Sequence, residues 1–283
     1  MLKINLMFKH LYLKILKQHY ILKFKLFLKS IGIGSYLVAK VNGTEEEYMQ
    51  IYIDYINSSN SFKDFIKLNF KKEEVEFINN LALITQVTKK SSKINFNHGF
   101  IICKYLKDYL RKNINEKIII LETGTARGFS AIIMASVLAY NKEQSEIHTI
   151  DIIPHKKKIY WNCISDPREG KLTREQLLKN YKEFLKHITF HQGTAKDVTK
   201  KLPFDRINFS FLDGAHDYAD IKLEYDYVQN KNKKGDIIIF DDYNPVMFSG
   251  IVKLVHEIEK KELYDVVFLN SNTDRGYVIL TRK

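Results

Sequence analysis

The stretch Leu121-Glu122-Thr123-Gly124-Thr125-Ala126-Arg127-Gly128-Phe129-Ser130 follows the apolar run Ile118 to Ile120 and precedes a helix-forming run, Ala131 to Tyr140. It reads as strand, tight glycine loop, helix. That order places bare backbone and the positive end of a helix at the carboxyl edge of a strand, where nucleotide-like ligands bind. Glu122, two residues before the first glycine, narrows the choice, because a carboxylate there suits a cationic or hydroxyl-rich ligand and repels a pyrophosphate. The G-x-G-x-x-G pattern of dinucleotide folds is absent.

From Lys117 onward, short β-rich apolar runs alternate with helical stretches, the signature of a doubly wound sheet. The expected strands are Lys117 to Leu121, Glu146 to Asp151, Ile188 to His191, Arg206 to Leu212, Asp236 to Phe240, Tyr264 to Leu269 and Gly276 to Thr281. The expected helices are Phe129 to Tyr140, Arg174 to Lys186, Ala195 to Leu202, Tyr218 to Asn230 and Gly250 to Glu262. Tyr218, Ile221, Tyr225 and Val228 recur at a spacing that makes one buried face. Only the short polar connection Asn270 to Arg275 separates the last two strands, which implies an antiparallel hairpin at a sheet edge. The expected fold is therefore α/β: a Rossmann-like, doubly wound, seven-stranded sheet with its last strand antiparallel, behind an N-terminal helical extension.

A chain of 283 residues with 45% hydrophobic content can bury one sizeable core plus an appended segment. Three regions are expected: a basic amphipathic arm over 1–43, a helical region over 44–115 and the sheet domain over 116–283. Within the second, helices are expected over 45–57, 72–87 and 98–112, the first started by Thr44 before three glutamates. Cys103 and Cys163 are too few for a disulfide framework and lack metal-ligand spacing, which fits a reducing, cytoplasmic setting.

The net charge of +12 raises the question of nucleic acid, but residues 1–40 carry eight lysines and no acid, leaving about +4 for everything else. Nucleic acid is therefore not an expected partner of the sheet domain. The arm interleaves lysine with Leu, Ile, Phe and Tyr, and holds no uncharged run near the roughly 18 residues of a membrane span, nor a signal-peptide pattern. Two readings stand: an interfacial helix touching an anionic membrane surface or a protein partner, or a basic arm packed on its own protein. The first allows a peripheral position at the inner face of the membrane. A homo-oligomer is compatible with the sequence.

The second strand ends in Asp151, placed to accept hydrogen bonds from ribose hydroxyls or to cap the turn before Pro154. The fourth ends in Asp213-Gly-Ala-His216 and the fifth in Asp241-Asp242. Three carboxylates at neighbouring strand ends repel one another, a conflict that a divalent cation resolves; magnesium is the expected ion, the alternative being acids that cap the following helices. His216, three residues after Asp213, suits proton transfer near neutral pH or capping of its helix. His98, His155, His187, His191 and His256 show no comparable acidic neighbours in sequence. The segment Ile152 to Thr173 is long enough for a lid; its Trp161 is a candidate for stacking on a sugar, and Lys156, Lys157, Lys158, Tyr160 and Arg168 for meeting anionic groups, the alternative being an ordered surface loop.

Taken together, Glu122-x-Gly124-x-x-x-Gly128-x-Ser130, Asp151 before Pro154, Asp213-x-x-His216 and Asp241-Asp242 resemble the class I, magnesium-dependent O-methyltransferases that use S-adenosylmethionine. Seven strands ending in a hairpin also suit that cofactor better than a dinucleotide. The catechol and caffeoyl-coenzyme A enzymes have D-x-x-K and Asp-Asn at the last two places; D-x-x-H and paired aspartates match instead the bacterial branch acting on sugar and macrolide hydroxyls. The resemblance covers roughly residues 95–283. It implies that Glu122, Gly124, Thr125, Gly128 and Ser130 line the methionine side of the cofactor, Asp151 the ribose, and Gly193 and Thr194 the adenine. It also implies Asp213, Asp241 and Asp242 as metal ligands, Asp213 touching both cofactor and reaction, and His216 as the base. The expected acceptor is a sugar or glycan-precursor hydroxyl. The alternatives are an RNA methyltransferase and a non-catalytic cofactor-binding or interaction protein.

Overall fold

Seven short apolar runs, all but Phe209–Leu212 carrying β-branched residues, become strands whose alternate side chains enter two different cores. In the computed structural model, which describes residues 40–58, 62–91, 93–114, 116–139, 145–270 and 275–283, the strands are β1 (Ile119–Thr123), β2 (Glu146–Asp151), β3 (Ile188–Gln192), β4 (Phe209–Leu212), β5 (Ile237–Phe240), β6 (Tyr264–Asn270) and β7 (Gly276–Arg282). Their order across the sheet is β3-β2-β1-β4-β5-β7-β6. Neighbours from β3 to β5 are parallel, and β7 runs antiparallel between β5 and β6. The expected fold class is the one observed. The N-terminal arm, apart from residues 40–43, lies outside the described residues, as does the connection 271–274.

The period of two is plain in the central strands. Ile237, Ile239, Tyr277 and Ile279 face one core, with helices α1 (Glu45–Asn57), α2 (Lys63–Asn69), α3 (Lys72–Thr85), α4 (Asn97–Lys112) and α5 (Phe129–Ala139) on that side. Ile238, Phe240, Val278 and Leu280 face the other, against α10 (Tyr218–Gln229) and α11 (Ser249–Glu259). On α10 the buried stripe is Ile221, Glu224, Tyr225 and Val228, with Tyr218 only half-buried. Among the described residues, no helix is long and apolar enough to cross a membrane.

Differences from the sequence reading have local causes. A two-turn helix, α2, precedes α3. The single helix expected over Arg174 to Lys186 is broken into α7 (Arg174–Leu177), a 3-10 turn (Lys179–Tyr181) and α8 (Lys182–Leu185). Leu178, Tyr181 and Phe184 are all buried at a spacing of three, the period of a 3-10 rather than an α-helix. The expected helix over Ala195 to Leu202 likewise ends early, as α9 (Ala195–Val198) and a 3-10 turn. The first strand runs two residues further than expected, which puts Glu122 inside the sheet.

The insertion after β2 has a core of its own. It contains α6 (Ser165–Glu169) and packs Ile153, Ile159, Trp161, Cys163, Leu172 and Leu177 together. Trp161 is 0% exposed and its indole N–H donates to the Leu172 carbonyl at 2.9 Å, so it cannot stack on a sugar. Arg168 pairs instead with Glu45.

One buried polar node ties α4 to the sheet. The Asp236 carboxylate, beside the start of β5, accepts from Tyr109 Oη (2.7 Å), Arg206 Nε and Nη2 (3.0 and 2.8 Å) and the Lys233 N–H (2.6 Å). Removing one member strands the others without water. Asp236→Ala should destabilise the protein by about 3–5 kcal/mol, read as a lower urea midpoint; a midpoint unchanged from wild type would show that the node is solvated.

Candidate active site

Three strand ends meet here because of register. Thr123 pairs with Leu212, and Leu212 with Phe240, so the next residues, Asp213 and Asp241, emerge side by side at the carboxyl edge. The Asp213 N–H donates to the Thr123 carbonyl (3.1 Å) and the Asp241 N–H to the Leu212 carbonyl (3.2 Å), carrying the ladder one step past each strand. Because β7 is antiparallel, its first residues lie at the same edge, with the Tyr243 N–H bonded to the Gly276 carbonyl at 2.9 Å. Arg275 is thereby delivered into the acids.

Arg275 was not singled out by sequence, yet its guanidinium organises the site. Nε lies 3.0 Å from Asp241 Oδ1 and 2.5 Å from Asp242 Oδ1, Nη2 is 3.9 Å from Asp213 Oδ1, and Nη1 donates to the Asn95 carbonyl at 3.3 Å. Asp242 adopts a left-handed backbone, φ 57°, and its own N–H donates to Asp241 Oδ1 at 2.6 Å. His216 Nε2 is 2.9 Å from Asp242 Oδ2, and its ring stacks on Phe248 at 4.4 Å.

These positions divide the acids. One ligand atom each from Asp213, His216 and Asp242 lies within 4.8 Å of the others, facing the open side of the site. Asp241 lies outside that group and faces inward, fully buried, with Oδ1 on Arg275 and Oδ2 without a hydrogen-bond partner. Oδ2 is 3.9 Å from Nδ1 of His98, also buried and without a partner. His98 therefore has an acidic neighbour that its sequence surroundings did not show.

The electrostatics follow from burial and from Arg275. Desolvation, then Asp241, pushes the Asp213 carboxyl well above the usual range. Desolvation lifts Asp241 to about 6 against the pull of Arg275. At Asp242, desolvation opposes ionisation, but Arg275 and His216 together outweigh it and hold the carboxyl below the usual range. Burial, then Arg275, holds His98 neutral.

The glycine loop forms the other half of the site. Glu122 is wholly buried; its two oxygens accept from the hydroxyls of Ser130 and Thr149, and desolvation raises it to about 7 against those bonds. Thr149 also meets the buried Thr125 hydroxyl, so Glu122, Ser130 and Thr125 form a floor beneath the loop rather than its open surface. Gly124, at φ 89°, is required twice over: a Cβ would lie 2.3 Å from the Asp213 carbonyl oxygen. Beneath Gly128 lies Leu178.

Asp151 accepts from the Ala126 N–H through Oδ2 (2.6 Å) and from the Ile153 N–H through Oδ1 (2.8 Å), each oxygen retaining acceptor capacity. The buried Arg174 guanidinium is 3.8 Å away. The Gly193 N–H donates to the Asp151 carbonyl at 2.8 Å, bringing the β3 end and the Thr194 cap beside the β2 end.

Residues 121–243 match the family model described as a methyltransferase domain. Three solved structures share the fold. The O-methyltransferase NovP has a TM-score of 0.53 at 16% identity, covering 74% of this chain and 99% of that one. The O-methyltransferase from Bacillus cereus in complex with SAH has 0.51 at 13%, covering 84% and 100%. TomG from Streptomyces achromogenes, an O-methyltransferase involved in tomaymycin synthesis, in complex with SAM, has 0.50 at 14%, covering 86% and 100%. No curated protein sequence matches the chain. The fold shared with these structures is a Rossmann-like, seven-stranded sheet domain, here behind a helical N-terminal region, and the family match runs from β1 to the residues just after β5.

Glu224 lies beneath the site, its Oε2 accepting from the Thr123 hydroxyl at 2.6 Å, and desolvation raises it from 4.5 to about 7. In the unfolded chain it ionises near 4.5, so between these values the folded state holds the extra proton and stability falls as pH rises. Glu224→Gln, which keeps the acceptor, should flatten the unfolding free energy by up to roughly 1.4 kcal/mol per pH unit in that window. Identical slopes for variant and wild type would show that Glu224 ionises normally.

Proposed function

We propose that the protein transfers a methyl group from S-adenosylmethionine to a hydroxyl of a sugar or glycan precursor, with a divalent cation at the acids and His216 as base. The carrying observation is the convergence of Asp213, His216 and Asp242 beside the loop that packs Gly124 against Asp213. The matched domain and the cofactor-bound neighbours support the donor, and the sequence resemblance supports the acceptor.

The residues fit both groups. Asp151 at the end of β2 has oxygens with spare acceptor capacity for ribose hydroxyls, next to Gly193. Three carboxylates and one arginine leave a formal charge of −2, which one divalent cation balances; Asp213 and Asp242 would hold it on the open side, with Asp241 and Arg275 bracing Asp242 from behind. S-adenosylmethionine supplies an electrophilic methyl on a sulfonium. A divalent cation supplies a Lewis acid that lowers the pKa of a bound hydroxyl.

What the chain does is position and accept. Asp242, held ionised, only accepts hydrogen bonds, so His216 carries its proton on Nε2 and keeps the Nδ1 lone pair for the acceptor hydroxyl. Phe248 fixes the ring plane. Aligning the attacking oxygen with the sulfonium methyl can supply several kcal/mol of the barrier, about 7 at the low end for well-oriented reactions.

Incubation with labelled S-adenosylmethionine, magnesium and a panel of sugars and nucleotide sugars should label a hydroxyl. His216→Gln should lower turnover by about 10²–10⁴-fold, and Asp242→Asn should abolish metal-dependent turnover while S-adenosylhomocysteine still binds. Full turnover in excess chelator would remove the metal from the account, and label found only on RNA would replace the acceptor.

A further inference from the structure

Within the glycine loop the backbone turns left-handed at Gly124, Ala126 and Gly128, with φ of 89°, 46° and 90°. Glycine takes such angles freely, but at alanine the Cβ crowds the following carbonyl, and the conformation persists only where its surroundings hold it. Ala126 is held on both sides. Its N–H donates to Asp151 Oδ2 at 2.6 Å, and its carbonyl accepts from Arg174 Nε at 2.9 Å.

Arg174, the first residue of α7, is itself fixed. It is 1% exposed; Nη1 donates to His155 Nδ1, and Nη2 lies 3.5 Å from the Ile153 carbonyl and 3.8 Å from Asp151 Oδ2. Its guanidinium carbon is 5.4 Å from the centroid of the Trp161 ring and 5.6 Å from that of Phe190. Burial lowers its pKa to about 10 against the pull of Asp151 and Glu122, so it is charged at neutral pH. One residue past the strained turn, Arg127 Nε donates to the Trp161 carbonyl at 2.6 Å and Nη1 to the Thr85 carbonyl at 3.4 Å. The loop is thus gripped by α7, by the insertion and by the end of α3, all outside the glycine motif.

We infer that Arg174 is a positioning residue for the cofactor: with Asp151 it clamps Ala126 in the left-handed form, and so keeps the glycine loop in the shape that S-adenosylmethionine meets. Without the guanidinium, Ala126 relaxes toward ordinary backbone angles, its N–H swings off Asp151, and both the loop and that carboxylate lose their orientation. A loop already set in its bound shape binds without the cost of ordering. Lysine can match the charge beside Asp151, but a single ammonium cannot reach the Ala126 carbonyl, His155 and the Ile153 carbonyl at once, as the planar fork does. The ligand comes from the methyl-transfer reading, on which this inference rests; the clamp itself is testable in the free protein.

The test compares full-chain wild type, Arg174→Lys, Ala126→Gly and the double variant by amide hydrogen exchange and by calorimetric titration with S-adenosylhomocysteine. In the free protein, Arg174→Lys should speed exchange at the Ala126 amide by at least about tenfold, while the Gly124 amide, bonded to the Ile150 carbonyl at 2.9 Å, keeps its rate. The same variant should bind S-adenosylhomocysteine at least about tenfold more weakly, for the loss of a charge-assisted hydrogen bond. Adding Ala126→Gly should restore most of that affinity, because glycine adopts the left-handed turn unaided; a merely structural arginine would show no such rescue. If Arg174→Lys fails to fold, recovery of folding and binding in the double variant supports the clamp, and failure of both alike overturns it. Equal acceleration at Ala126 and Gly124, unchanged affinity in Arg174→Lys, or the same loss with and without Ala126→Gly would also overturn it. Failure of S-adenosylhomocysteine to bind wild type would count against the methyl-transfer reading, with the exchange rates still deciding the clamp.

Discussion

Ionisable side chains sent to adjoining strand ends must be neutralised or the sheet edge does not hold, and the ion pair of Arg275 with Asp241 and Asp242 meets that demand from within the chain. It depends on strand order. A parallel seventh strand would start at the opposite edge of the sheet; the antiparallel β7, inserted between β5 and β6, begins where β5 ends. The hairpin at the end of the fold is thus a device for bringing a cation to the acids. Asp241 and Asp242 share that one cation, so three carboxylates face a single guanidinium and the set keeps a formal charge of −2, with Asp213 and Asp242 half-buried toward the open side.

The glycine-loop half of the candidate site is coupled to this half by backbone contact. Gly124 rests against the Asp213 carbonyl, and Asp213 in turn extends the β1–β4 ladder through Thr123. Beneath the loop, Glu122 gathers the hydroxyls of Ser130 and Thr149, linking β1, α5 and β2. Asp151 does the same one strand over for the Ala126 and Ile153 N–H groups. These acids shape the loop by accepting hydrogen bonds from it and from the strands beside it, so that its surface is formed in the free protein.

Much of this was legible in sequence because it rests on local signals. Alternating apolar runs gave strands and helices, the short polar connection before Gly276 gave the hairpin, and Asp213-x-x-His216 with Asp241-Asp242 pointed to the strand ends where Asp213, His216 and Asp242 cluster. What escaped depends on strand order or on packing. Arg275 looks like the end of a turn until β7 is known to lie beside β5. His98 looks like a packing residue until α4 is laid over β4, where its ring stacks on Phe211 and its Nδ1 comes near Asp241. Trp161 looks like a ligand platform because nothing local reveals that the insertion builds a core around it. Glu122 reads as a ligand-facing carboxylate just past the strand, and its full burial is hidden because the strand ends two residues beyond its apolar run.

The charge count is the most exposed part of this account. Equilibrium binding of Mn²⁺ to the metal-free protein, followed by the loss of its free-ion magnetic resonance signal, measures it directly. The account predicts one ion per chain, displaced by Mg²⁺, and none in Asp213→Asn. No binding to wild type, or one ion retained by that variant, would contradict it.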